Sequence, residues 1–309
     1  MAVLALLVVS CGGDEAPDSG GGLPRFETIS VIASMYPLEY FSERVGGDRV
    51  EVDGIVPSGG DAHAFEPTPG DLRNIANADL LVYNGLGFES WVEALLAAGD
   101  APETTVQAGS ETVARHFDID EIGSDSGDGQ GDGDLDPHIW LDPVLAITQV
   151  SAIRDGLIEV DPDGAALYRT NSDTLVAELE ALDARFVTAF RTCSQDTFVT
   201  SHDSFNYLAA RYGLTAVGIG GINPGAEPSP RALARLTDAI TEAGISYVLV
   251  SPIDTEQLSD TVARESGVEI LLLHALQNLT ADERDSEEDY FSLMDVNLES
   301  LATALECDR

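Results

Sequence analysis

The stretch Asp196–Gly220, DTFVTSHDSFNYLAARYGLTAVGIG, decides the fold. DTFVTS reads as a β-strand, DSFNYLAARYG as a helix, and LTAVGIG as a second strand. Strand, helix and strand in so short a run give parallel strands joined by a crossing helix. One polar residue, His202, stands where the first strand gives way to the helix.

The alternation continues toward the C-terminus. SPRALARLTDAITEAG is a predicted helix, SYVLVS a strand, DTEQLSDTVARESG a helix, VEILLLH a strand and SEEDYFSLMDVNLESLATALE a long final helix. Upstream, LVAELEALDARFVTAF has apolar residues at helical spacing and no Gly or Pro, which suits a stiff helix connecting two lobes. Further upstream, TISVIAS, VEVDGIV and DLLVYN read as strands. They are interleaved with the helices PLEYFSERVGG, TPGDLRNIANA and ESWVEALLAA. Thr68 caps the second of these helices, with Pro69 at its first position. The predicted fold is therefore α/β, with two lobes, each a parallel sheet with helices on both faces, joined by a long backbone helix. The expected divisions are a signal segment at 1–11, a tether at 12–26 and an N-terminal lobe at 27–143 that contains an acidic loop at 118–136. A helical region at 144–192 and a C-terminal lobe at 193–309 follow. A cleft between two such lobes is the default ligand site.

The 309 residues are 44% hydrophobic and 23% charged, a globular mix. There are 55 Asp and Glu against 15 cations, all of them Arg, for a formal charge of −40. Without Lys the chain has neither a P-loop nor a Schiff-base lysine, which excludes those nucleotide and pyridoxal chemistries. No basic stripe offsets the charge, so nucleic acid is excluded as a partner. Cations are attracted instead.

Ala2–Val9 is a short apolar run ending at Ser10-Cys11, of secretory rather than membrane-spanning length. VVSC resembles a bacterial lipobox, and GGDEAPDSGGG after it is a flexible leash, so Cys11 is expected to carry a lipid anchor. That places the chain outside the cytoplasm on the bacterial cell membrane, in the periplasm if an outer membrane exists. Disulfides persist there, and pairing Cys193 with Cys307 would pin the final helix to the second lobe.

Four of the five histidines fall at strand ends or loop mouths. They are His63 in GGDAHAFEPTP, His138 in LDPHIWLDP, His202 in VTSHDSF and His274 at the end of ILLLH. Ligands of open α/β sheets bind just beyond the carboxyl ends of strands, and imidazole is the commonest zinc ligand. His116, beside the acidic loop, reads as an ordinary polar residue.

The segments from Asp61 to Leu96, DPHIWLDP, VTSHDSFNYLAARYGL, AEPSPRAL and EEDYFSLMDVNLESLATALE together resemble the zinc/manganese substrate-binding lipoproteins of ABC-type metal importers. The resemblance runs from about Thr28 to Cys307. It implies one metal ion held between the lobes of a monomer that serves an ABC-type membrane permease. By position, His63, His138 and His202 would be ligands. The third position is usually His in zinc binders and Glu in many manganese binders, so His202 favours Zn²⁺ over Mn²⁺. The fourth family ligand is commonly an Asp, and this chain has His274 at the place expected for it. Four neutral imidazoles leave the charge of the ion uncompensated, so nearby carboxylates are expected to orient the rings; Glu66, Asp142 and Asp203 are the candidates. Many zinc-binding members carry a His-rich loop before the second His motif. Here that loop is rich in Asp and Gly, and is expected to concentrate cations loosely at most.

Three functional classes follow. The first is an extracytoplasmic zinc-binding protein, or a manganese- or iron-binding member of the same family. The second is a zinc metallohydrolase, disfavoured because four protein ligands close the coordination sphere and no HExxH or GxSxG element is present. The third is an adhesin, for which the sequence shows neither repeats nor a stalk. The chain is read as a non-enzyme.

Overall fold

A computed structural model describes residues 28–109, 135–219, 230–253 and 256–308. Cys11, the tether, His116 and nearly all of the acidic loop lie outside these residues.

The first lobe runs β1 (Ile29–Ala33), α1 (Tyr36–Gly46), β2 (Val50–Gly54), α2 (Pro69–Asn77), β3 (Leu80–Tyr83), α3 (Ser90–Ala98) and β4 (Thr104–Gln107). Its four strands are parallel in the order β2-β1-β3-β4, with Val31 beside both Val52 and Leu80. Two antiparallel helices follow, α4 (Pro143–Val160) and α5 (Ala165–Ala189). The second lobe comprises β5 (Thr197–Thr200), α6 (Asn206–Tyr212), β6 (Thr215–Gly218), α7 (Pro230–Ala243), β7 (Tyr247–Val250), α8 (Glu256–Ser266), β8 (Glu269–Leu272), α9 (Ala281–Asp285) and α10 (Tyr290–Ala304). Its sheet order is β6-β5-β7-β8, the same pattern as in the first lobe.

Successive strand residues point to opposite faces, so each sheet needs two apolar covers. Ile32 and Leu81 pack beneath Ile75 of α2 and Trp91, Val92 and Leu95 of α3. Val31, Ala33, Leu80 and Val82 face the other way, into a core that includes Phe41 of α1 and Val150 of α4. The second lobe repeats the scheme: Val199, Val217, Val248 and Val250 pack with Ile240 of α7 and Val262 of α8, while Phe198 and Leu249 join the large core. That large core is continuous through both lobes.

α5 is the expected connecting helix, 25 residues long. Tyr168, Ser172, Leu175, Leu179, Leu182 and Phe186 form its buried stripe, spaced four and three residues apart as a helix face requires. The capping expectation at Thr68 is met in full: its hydroxyl accepts from the Gly70 and Asp71 N–H groups, and the Asp71 carboxylate returns to the Thr68 N–H. Two elements were not anticipated. The β4 segment TTVQ is short and only partly buried, and α9 has five residues with no apolar period.

Cys193 and Cys307 form a disulfide. Around it the two segments run antiparallel: Gln195 N–H donates to the Leu305 carbonyl (3.0 Å) and Asp308 N–H to the Thr192 carbonyl (3.1 Å). The end of the final helix is thus tied to the start of the second lobe, as the positions of the two cysteines suggested. Among the described residues no helix is long and apolar enough to cross a membrane.

Candidate metal centre

Three of the four expected histidines converge. His63, on the loop after β2, His138, before α4, and His202, just past β5, bring one ring nitrogen each to within 4.8 Å of one another. Ring centroids lie 5.1 Å apart for His63–His138, 5.5 Å for His138–His202 and 6.1 Å for His63–His202. The Nε2 atoms of His63 and His138 are 3.2 Å apart. Two nitrogens bonded to one tetrahedral zinc at 2.0–2.1 Å stand roughly 3.3 Å apart, so this pair already has the spacing such an ion needs.

Local turns aim the first two rings. The Asp61 carboxylate accepts the His63 backbone N–H (2.9 Å), and Asp136 accepts that of His138 (2.9 Å). Both are Asp-X-His turns in which the aspartate closes a loop over its own backbone. Asp136 does more. Its Oδ1 also receives His138 Nδ1–H (2.8 Å), and that fixes the tautomer in which the Nε2 lone pair is free. Its Oδ2 accepts from Asn206 Nδ2 (3.1 Å), and its backbone carbonyl accepts from the Tyr207 hydroxyl (2.7 Å). Asn206 and Tyr207 begin α6, so this buried carboxylate joins a first-lobe histidine to the second lobe.

His202 is held through its backbone, whose carbonyl accepts from the Thr200 hydroxyl (2.8 Å) and the Ser204 N–H (2.9 Å). Trp140 packs 5.1 Å from the His138 ring and donates its indole N–H across the lobe boundary to the Ala275 carbonyl (2.8 Å). Phe88 packs 4.3 Å from the His63 ring. Burial first, then the neighbouring His138 and His202, push the His63 pKa down to about 2. A proton is thus strongly disfavoured at a ring whose lone pair would serve a metal ion.

His274 does not join the group, and the expected fourth histidine ligand is corrected here. Strand β8 ends at Leu272, and α10 captures the backbone beyond it: Asn297 Oδ1 accepts the His274 N–H (2.6 Å) and Asn297 Nδ2 donates to its carbonyl (2.8 Å). The ring then turns toward α9. Its Nδ1 accepts the Leu276 N–H (2.8 Å), and its Nε2 faces the Glu283 carboxylate (3.2 Å). Both nitrogens are occupied within the fold. Burial alone would raise the Glu283 pKa, but hydrogen bonds from His274 and Thr280 outweigh it and bring it down to about 2.

Two of the three carboxylates expected to orient the rings hold backbone N–H groups. Glu66 is exposed. Asp142 caps α4 at the Val144 and Leu145 N–H groups and pairs with Arg211. Asp203 Oδ1 accepts the Gly218 N–H (2.7 Å), and a Cβ on Gly218 would stand 2.2 Å from that oxygen, so only glycine fits there. Among the described residues the carboxylate seen bonded to a ring of the trio is Asp136, two residues before His138, and it is not among the three candidates named from the sequence. Phe88 was also missed, as was Gln277, a buried amide with no hydrogen-bond partner for its side chain among the described residues.

Comparison with known proteins gives the family to which this fold belongs. The family described as "Zinc-uptake complex component A periplasmic" matches residues 31–304. The chain is 32% identical over 308 residues to the "High-affinity zinc uptake system protein ZnuA" of Bacillus subtilis, covering 99% of this chain and 96% of that protein. It is also 32% identical over 299 residues to the "Zinc-binding lipoprotein AdcA" of Streptococcus pneumoniae, where it spans 96% of this chain but 58% of AdcA. The crystal structure of the Zn(II)-bound ZnuA-like domain of that AdcA superimposes with a TM-score of 0.76 at 31% identity, covering 90% of this chain and 99% of that one. With nearly its whole length matched by the family and its two lobes matched in structure, the chain belongs to the periplasmic zinc-uptake component A (ZnuA) family.

Proposed function

We propose that this protein captures Zn²⁺ between its lobes with His63, His138 and His202 and delivers it to an ABC-type permease. The observation that carries the reading is the convergence of three imidazole nitrogens at a lobe boundary, one of them set by a buried carboxylate. A donor set built on three imidazoles favours zinc over manganese, which prefers oxygen. Zinc is the cargo, so the chain is read as a non-enzyme, a monomer held outside the cytoplasm by a lipid on Cys11. The zinc-binding names of the relatives support the same reading.

The test is metal analysis and competitive zinc titration of the wild type and of His63→Ala, His138→Ala and His202→Ala. One equivalent of zinc in the wild type, with affinity lowered at least tenfold, ~1.4 kcal/mol, in each variant is expected. Wild-type protein that binds no zinc, or variants that bind it undiminished, would refute the site.

A further inference from the structure

The turn between β3 and α3 contains a feature that the three histidines do not explain. Gly85, Leu86 and Gly87 have φ of 76°, 58° and 81°, three successive residues in the left-handed region. For Leu86 this costs about 1–2 kcal/mol, and such a conformation persists only where its surroundings impose it. Glu89, buried at 5% exposure, imposes it here. Its Oε1 accepts the Asn84 N–H (2.8 Å) and the Ser34 hydroxyl, and its Oε2 accepts the Gly85 N–H (2.8 Å). The Asn84 side chain extends the clamp, donating to the Pro137 carbonyl (3.0 Å) and accepting from Gln149 Nε2 (2.9 Å). Pro137 immediately precedes His138.

The product of this clamp is the placement of Phe88. Its ring is 3% exposed, packs 4.3 Å from His63 and 5.3 Å from Trp140, and meets His138 edge-on at 6.4 Å. A phenyl ring offers a metal ion no lone pair. It can fix the plane of the His63 imidazole and occupy space that coordinated water would otherwise fill.

We propose that Phe88 is a specificity-determining wall of the metal site, and that Glu89 is the positioning residue that holds it there. A wall that excludes additional water favours a four-coordinate ion over cations that need six oxygen or water ligands, such as Mn²⁺ and Mg²⁺. The inference rests on the proposed zinc-binding function and adds to it how wrong cations are rejected.

Cobalt(II) is the probe, because its four-coordinate complexes absorb visible light far more strongly than its six-coordinate ones. Wild-type protein loaded with cobalt should give the intense four-coordinate spectrum. Phe88→Ala should weaken that spectrum and reduce the zinc-over-manganese preference by about tenfold, ~1.4 kcal/mol. Phe88→Leu, which keeps most of the bulk, should retain both properties. Glu89→Gln keeps the shape but turns a donor toward the Asn84 or Gly85 N–H, and should shift the spectrum in the same direction as Phe88→Ala. Circular dichroism confirms the fold of each variant, and if Glu89→Gln does not fold the two Phe88 variants decide. A Phe88→Ala protein with wild-type spectrum and selectivity overturns the inference, and so does a Phe88→Leu protein that loses both. A wild type that takes up neither zinc nor cobalt overturns the proposed function itself, and the inference with it; where zinc alone is bound, the zinc-over-manganese preference of the two Phe88 variants decides.

Discussion

Replacing Asp136 by Asn tests how a carboxylate that never touches the ion controls its binding. The substitution preserves shape and removes the charge. Asp136 accepts three N–H groups, from the His138 backbone, the His138 ring and Asn206, and it is buried in the lobe interface. Asn can accept from the His138 ring with its single oxygen, but its amide nitrogen then faces the Asn206 nitrogen, donor against donor. An unmet buried donor costs about 1–3 kcal/mol. The charge matters more when metal is present, because a metal-bound imidazole makes a more acidic N–H and a stronger bond to a carboxylate. Loss of such a partner typically weakens metal binding 10- to 100-fold, ~1.4–2.7 kcal/mol. Competition against a chromophoric zinc chelator at neutral pH measures this, with melting temperature reporting the structural cost separately. Asn206→Ala removes the opposing donor, so the double variant should bind zinc better than additivity predicts, with a coupling of at least about 0.5 kcal/mol. Zinc affinity in Asp136→Asn within threefold of wild type, in folded protein, would refute the reasoning.

Reducing the Cys193–Cys307 disulfide, or replacing both residues with Ser, should lower stability by up to about 5 kcal/mol, the chain-entropy value for a separation of 114 residues; equal denaturant midpoints before and after reduction would contradict it. His274→Ala should leave zinc affinity within about threefold while destabilising the fold by about 1–3 kcal/mol, since the Leu276 N–H and the Glu283 carboxylate both lose a partner; a tenfold weaker zinc complex would return His274 to the site. Metal-free protein should lose stability on acidification. The His63 pKa is depressed in the fold to about 2 and lies near ~6.5 in the unfolded chain, so protons favour unfolding. This contribution is complete above pH ~6.5 and is lost as pH falls, by up to about 3 kcal/mol at pH ~4.5. Melts of the metal-free wild type and of His63→Phe across that range should differ in slope, and parallel curves would exclude the mechanism.

The order of strands and helices was legible because its causes are local. Apolar runs, helical spacing in the α5 stripe and the Thr68-Pro69 start each act over a few residues. Weakly patterned elements, the TTVQ strand and the five-residue α9, left no such trace and exist because neighbours hold them. The histidines were legible as a set because strand ends are where an α/β fold gathers ligands. Sequence position put His274 at the end of a strand, and strand β8 stops two residues short of it, at Leu272. Position could not say which way the ring would turn, since Asn297 and Glu283, 23 and 9 residues further along, decide that. Asp136 shows the same division from the other side. Its turn onto His138 lies within three residues, whereas its bonds to Asn206 and Tyr207 span about seventy and exist only once the lobes meet. The sequence by itself determined the two-lobed α/β architecture, the cysteine pair and three histidines at strand ends or loop mouths. Tertiary structure alone decided which carboxylate orients His138, which ring packs on His63 and which way His274 turns, because a side chain's direction is set by partners that only the folded chain brings near.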